Sequence, residues 1–146
     1  MASTTVLIAD HEQARHVRCR RLLERDHTIR VVGEARNVPE TLVGMAEWKP
    51  DVLLFDLNLV QANAGFLIAR LLRKSPRTRI ILLTHHAAET QILDALSQGA
   101  RGYLPKAALA AYLAKAVPAV DAGEAWVPRT MVASLLARLG RRAAQA

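Results

Sequence analysis

Four short apolar runs rich in β-branched residues, 5–9, 29–32, 52–55 and 80–83, recur along the chain with helix-like segments between them. Runs that are continuously apolar, rather than alternating, belong to strands buried on both faces, and a sheet is covered on both faces when helices cross over each side of parallel strands. Such crossovers are right-handed. The alternation therefore points to an α/β protein with a doubly wound parallel sheet. A fifth run, 102–104, follows Gly99-Ala100-Arg101 and is too short to assign by periodicity. Its place in the alternation makes it the fifth strand.

The helical segments carry their own punctuation. Asn37 is placed to cap a helix beginning near Val38, with Pro39 in its first turn and Glu40 at the capping-box position; Leu42, Met45 and Ala46 would face the sheet. Ile92, Leu93, Ala95 and Leu96 fall on one side of a helix over 89–98, and Gly99 ends it. The alanine-rich stretch 108–122 contains Pro118, which predicts a kink or an early stop near Val117. A last helix is predicted from Pro128 to about Leu139, with an apolar stripe of Met131, Val132, Leu135, Leu136 and Leu139 that packs either on its own domain or on a partner. Residues 140–146 read as a frayed end.

A chain of 146 residues suits one domain, expected over 1–122, followed by a linker-like helix and basic tail over 123–146. No apolar run reaches the length needed to span a bilayer and the start MASTT has no signal-peptide architecture, so neither a membrane partner nor secretion is expected and the cytoplasm is the expected compartment. The net charge of +7 comes from arginines scattered over several helical segments with few aromatics between them, which argues for solvated faces and against direct nucleic-acid binding by this chain. The single cysteine, Cys19, excludes an internal disulfide framework and reads as a small, partly buried filler.

Ligands of open parallel sheets gather beyond the carboxyl ends of the strands, where strand order reverses. At that edge the first strand ends in Asp10, the third in Asp56 and the fourth in Thr84, and the fifth is followed by Lys106. A carboxylate at Asp56 can act as a nucleophile toward a phosphoryl donor while a second acid holds a divalent cation and the lysine and threonine contact phosphoryl oxygens. A structural Asp56–Lys106 ion pair is the plainer alternative. No glycine-rich phosphate loop, nucleophile elbow or His-Glu-x-x-His helix accompanies them, so a small-molecule enzyme is not expected.

Five strings in order, Val6-Leu-Ile-Ala-Asp10, Val31-Val-Gly-Glu-Ala35, Pro50-Asp-Val-Leu-Leu-Phe-Asp-Leu-Asn58, Ile81-Leu-Leu-Thr84 and Gly99-Ala-Arg-Gly-Tyr-Leu-Pro-Lys106, carry a resemblance over residues 4 to about 126. The chain resembles the CheY-like receiver domains of two-component response regulators, of the NarL/FixJ type, with a degenerate acidic pocket. The resemblance implies a flavodoxin-like five-stranded sheet of order 2-1-3-4-5, with helices on both faces and an extra C-terminal helix. It implies Asp56 as phosphoacceptor, Thr84 and Lys106 as switch hydroxyl and phosphate-binding lysine, and Tyr103 as switch aromatic. Mg²⁺ would be held by Asp10, Asp56 and the Asn58 carbonyl. The implied partners are a sensor histidine kinase or phosphotransfer protein, and a second copy of the chain in a homodimer.

Three departures stand beside it. Receivers have two adjacent acids after the first strand, but here Asp10 is followed by His11 and Glu12, and imidazole is a poor ligand for Mg²⁺. Either Glu12 substitutes, or a softer ion is used, or metal binding is largely lost. The loop after Asp56 lacks the usual proline and has one extra residue, which would loosen it. His85 and His86 follow Thr84 and read as exposed loop residues rather than metal ligands. Finally, no helix-turn-helix module follows residue 139 in this sequence, so the chain reads as a stand-alone receiver or as the receiver part of a longer DNA-binding regulator. The alternative function is a phosphorylation-independent pseudo-receiver that dimerises or binds proteins.

Overall fold

The computed structural model describes residues 3–145. It shows one sheet of five parallel strands, β1 (Thr4–Ala9), β2 (Ile29–Ala35), β3 (Val52–Asp56), β4 (Arg79–Thr84) and β5 (Gly102–Pro105), in the order β2-β1-β3-β4-β5. Six helices accompany them: α1 (Gln13–Glu24), α2 (Val38–Trp48), α3 (Ala64–Lys74), α4 (Glu89–Ser97), α5 (Leu109–Asp121) and α6 (Arg129–Gln145). This is the doubly wound arrangement expected from the alternation, including the short fifth strand.

Successive strand residues face opposite layers. Leu7, Leu53, Phe55, Ile80 and Leu82 pack beneath α2, α3 and α4, while Val6, Ile8, Leu54, Ile81 and Leu83 pack beneath α1 and α5. With both faces covered, β3 has all five residues buried, which is why it shows no polar alternation. Cys19 is fully buried in the second layer, more deeply than its neighbouring arginines suggested, and burial pushes its thiol up to about 12.

Local signals account for most element ends. The Asn37 side chain accepts from Glu40 N at 2.8 Å and Glu40 Oε1 accepts from Arg36 N at 2.9 Å, which fixes the start of α2. The buried face of α2 is Thr41, Gly44 and Met45, with Leu42 half-buried; Ala46 lies one position too far round and is exposed, contrary to expectation. In α4, Ile92, Leu93, Ala95 and Leu96 are all buried as predicted. Gly99 follows at φ 123°, where a Cβ would also approach Leu72 Cδ1 to 2.6 Å.

Pro118 does not stop α5, which runs on to Asp121. The carbonyl deprived of its partner belongs to Ala114, on the exposed side where water can satisfy it, while buried Val117 and Val120 hold the last turn against the sheet. The last helix also exceeds its predicted end at Leu139 and continues to Gln145; Ala146 lies outside the described residues. Its extra turn is tethered, because Arg142 donates to the Ser97 carbonyl and to Gln98 Oε1, and Arg138 pairs with Asp94.

The predicted stripe on α6 splits. Met131 and Leu135 pack against the α4 layer, whereas Val132, Leu136 and Leu139 remain exposed. Before α6 the chain lays Trp126 along the outer edge of β5: Trp126 N donates to Arg101 O at 3.0 Å and Tyr103 N donates to Trp126 O at 2.9 Å. This covers an otherwise open sheet edge.

No residue of α6 is fully buried, so its docking rests on a few half-buried contacts and surface arginines. Such an element opens well below the global unfolding free energy. Leu135→Asp should strip amide-exchange protection from 131–145 while the sheet amides and the main unfolding midpoint change little; loss of protection in β3 and β4 as well would contradict this.

Candidate functional site

Strand order reverses between β1 and β3, so the carboxyl ends of these neighbours open a crevice at the topological switch point. Asp10 follows β1 and Asp56 ends β3, and both side chains are fully buried. Topology alone brings two carboxylates together there, and every group around them bears on how their charge is balanced.

Both oxygens of Asp56 are engaged. Lys106, which begins the turn after β5 and is itself buried, places Nζ 2.7 Å from Oδ1. Asn58 N donates to the same oxygen at 2.9 Å from a 3-10 turn over Leu57–Leu59. His11 Nδ1 donates to Oδ2 at 2.8 Å, with the imidazole half-exposed at the crevice mouth. Asp10 Oδ1 accepts from Glu12 N at 2.9 Å, and Arg15 Nε of α1 lies 2.9 Å from Oδ2. Arg15 reaches Glu12 Oε2 as well, at 2.8 Å. Below, buried His16 donates from Nε2 to the Asp10 carbonyl at 2.7 Å.

These surroundings push the two acids apart. Burial raises the pKa of Asp56, but Lys106, His11 and the Asn58 amide outweigh it and hold the carboxyl below its ordinary value. For Asp10, burial dominates and, with the charge of Asp56, raises the pKa despite the Glu12 amide, Arg15 and Lys106.

The predicted residues divide accordingly. Asp10, Asp56 and Lys106 converge, and His11 joins them directly. Thr84 is buried one residue beyond the Asp56↔Leu83 register, at the same edge, and no hydrogen bond ties it to either carboxylate among the described residues. Tyr103 is half-buried in β5 and borders an apolar hollow with Tyr112 and Trp126. His85 and His86 pack against each other as a tilted pair, centroids 4.1 Å apart and planes at 58°, outside the carboxylate group. The loop after Asp56 is tied down without proline, by Val60 N to Leu57 O and by Gln91 Nε2 to the Gln61 carbonyl. Arg15 was missed by sequence reasoning; its only signal was a basic residue in the first turn of a helix leaving an acidic strand end.

Asp10, His11 and Asp56 form a group whose ligand atoms lie within 4.8 Å of one another, enough to share a cation. The set does not fit magnesium. A hard ion wants oxygen donors, but here an imidazole stands among them, its Nδ1 hydrogen committed to Asp56, and Arg15 is seated on Asp10. The Glu12 side chain is half-exposed and paired with Arg15, so it does not supply the missing oxygen.

The family model for the response regulator receiver domain matches residues 6–118. The DNA-binding transcriptional activator DevR/DosR of Mycobacterium tuberculosis is 36% identical over 133 residues, covering 91% of this chain and 61% of its own length. The oxygen regulatory protein NreC of Staphylococcus aureus is 30% identical over 132 residues, covering 90% and 61%. The chain thus spans about three fifths of the length of these curated relatives. Among solved structures, the isolated receiver domain of RcsB from Salmonella enterica serovar Typhimurium in the apo form superposes with a TM-score of 0.80 at 25% identity, covering 91% of this chain and 98% of that one. The signal receiver domain of NarL from Mycobacterium tuberculosis gives 0.76 at 26% identity, covering 85% and 100%.

Removing Lys106 alone would leave Asp56 buried without its cation. Lys106→Met should cost about 3–5 kcal/mol in urea unfolding, and Asp56→Asn in the same chain should recover most of it. The sign of the pH effect follows from the lowered Asp56 value: its contribution is complete above about 4, the ordinary carboxylate value, and is lost as pH falls through the folded value. The double variant should therefore lose less stability on acidification than the wild type, measured as unfolding midpoint against pH.

Proposed function

We propose that this chain, which belongs to the response regulator receiver domain family of two-component systems, accepts a phosphoryl group at Asp56 from a histidine kinase or phosphotransfer protein and passes the change on through the face that carries Tyr103. The observation that carries the reading is the Asp56 carboxylate: buried at the switch point, held anionic by Lys106 on Oδ1, and bonded at Oδ2 to a half-exposed imidazole.

In this reading His11 swings off Oδ2, which attacks phosphorus. The Oδ2–P bond forms as the P–N bond of a phosphohistidine, or the P–O bond of an acyl phosphate, breaks, and the bonding pair leaves with the donor. Lys106 and the Thr84 hydroxyl, at the adjacent strand ends, contact the new phosphoryl oxygens. Magnesium is the cation that family membership suggests, with Asp10, Asp56 and the Asn58 carbonyl as its holders. The donor set does not fit that ion, and Lys106 supplies the positive charge at Oδ1.

The expected test is direct. With acetyl phosphate the intact mass should gain one phosphoryl group that maps to Asp56 and is absent from Asp56→Asn. No gain in the wild type would leave the second reading, a pseudo-receiver that signals through protein contacts alone. That alternative is favoured by one observation, that every oxygen of Asp10 and Asp56 already faces a nitrogen of the chain itself.

The domain boundary near 122, a cytoplasmic setting and the absence of direct nucleic-acid contacts belong to the same reading; among the described residues no helix is long and apolar enough to cross a membrane. DNA binding belongs by name to the relative DevR/DosR, and for this chain it is proposed only as a property of a longer regulator. A homodimer is proposed through Val132, Leu136 and Leu139, the part of the α6 stripe left exposed. Sedimentation should show a dimer that Leu136→Glu dissociates; a monomer at all concentrations would refute it.

A further inference from the structure

We infer that Arg15 and His11 stand in for a divalent cation in this pocket, so that the chain neutralises its own acidic site and handles a phosphoryl group without a metal ion. The inference rests on the reading of Asp56 as phosphoryl acceptor for its consequence, although its central claim concerns cation binding alone.

Position is the first support. A cation shared by Asp10 and Asp56 has to lie between them, and that place is taken by His11 Nδ1, 2.8 Å from Asp56 Oδ2 and 3.7 Å from Asp10 Oδ1. The remaining Asp10 oxygen faces Arg15 Nε at 2.9 Å. Guanidinium and ammonium groups have no lone pair to offer a metal, and the imidazole nitrogen aimed into the pocket carries the hydrogen it donates. The two carboxylates are therefore surrounded by donors.

Charge is the second. Two permanent cations, Arg15 and Lys106, already offset the two buried carboxylates, Asp10 and Asp56, one for one, while Glu12 beside Arg15 is half-exposed to water. A dication added to this set would leave the buried site net positive, and making room for it would pull Arg15 from a fully buried partner. Phosphoryl oxygens entering at Asp56 would instead meet N–H donors already in place, and Arg is well matched to such oxygens. The third support is burial: the Arg15 side chain is only 14% exposed, so it is packed into the site rather than waving above it.

Two measurements on the full chain decide the matter. Magnesium chloride is titrated while the backbone amide resonances of residues 10–12 and 56–58 are followed. The wild type should give no saturable shift, and His11→Asp with Arg15→Ala should gain one; if that pair does not fold, either single variant is read in the same way. A saturable wild-type response at millimolar magnesium would overturn the inference, as would silence in both wild type and variant, since the two residues would then not be what excludes the ion. Beryllofluoride binding, followed by fluorine NMR, should be equal in EDTA and in magnesium, and Arg15→Ala should weaken it about tenfold. Binding that requires magnesium overturns the inference. No binding in either medium instead defeats the acceptor reading, while the magnesium titration still decides the cation substitution.

Discussion

Two carboxylates shielded from water, Asp10 and Asp56, sit at the ends of adjacent strands, and an uncompensated buried charge costs far more than a small domain can spare. The rest of the pocket follows from that constraint. Lys106 is buried only because Asp56 is there to receive it, the 3-10 turn over Leu57–Leu59 aims an amide at Oδ1, and α1 begins with Arg15 turned back over Asp10. The opposite pKa shifts of the two acids express the same balance: Asp56 is surrounded well enough to stay charged, and Asp10 less so.

Strand positions, and with them the convergence of Asp10, Asp56 and Lys106, were legible in the sequence because a parallel sheet buried on both faces leaves its mark residue by residue in 52–55 and 80–83. Helix faces were legible where i, i+3, i+4 spacing was clean, as at Ile92, Leu93, Ala95 and Leu96. They were misread by one position at Ala46, because a small residue tolerates either face. The fate of Pro118 and of residues 140–145 depended on tertiary partners, the sheet beneath Val117 and Val120 and the α4 end beneath Arg142, that no local window contains. His11 was visible as a substitution, but its bond to Asp56 was not, and Arg15 carried no motif at all. Charge compensation across the chain is set by side-chain reach in three dimensions, where sequence spacing says least.

The side of the molecule that carries Tyr103, Trp126 and α6 is connected to this pocket through one short strand. β5 carries Tyr103, ends at Pro105 and delivers Lys106 to Asp56, while its outer edge is paired with Trp126 through Tyr103 N and Arg101 O. Trp126 in turn precedes α6, which lies across α4 on Met131 and Leu135 and is pinned by Arg138 and Arg142. Any rearrangement that lifts Lys106 from Asp56 has to be absorbed by backbone that also holds Trp126. The α6 contacts are the weakest in that sequence, since they bury no residue fully, whereas the β4–β5 ladder is continuous from Ile81 to Thr84. Strain introduced at the carboxylate is therefore relieved most cheaply at α6, the helix that keeps Val132, Leu136 and Leu139 exposed and that the pocket is best placed to move.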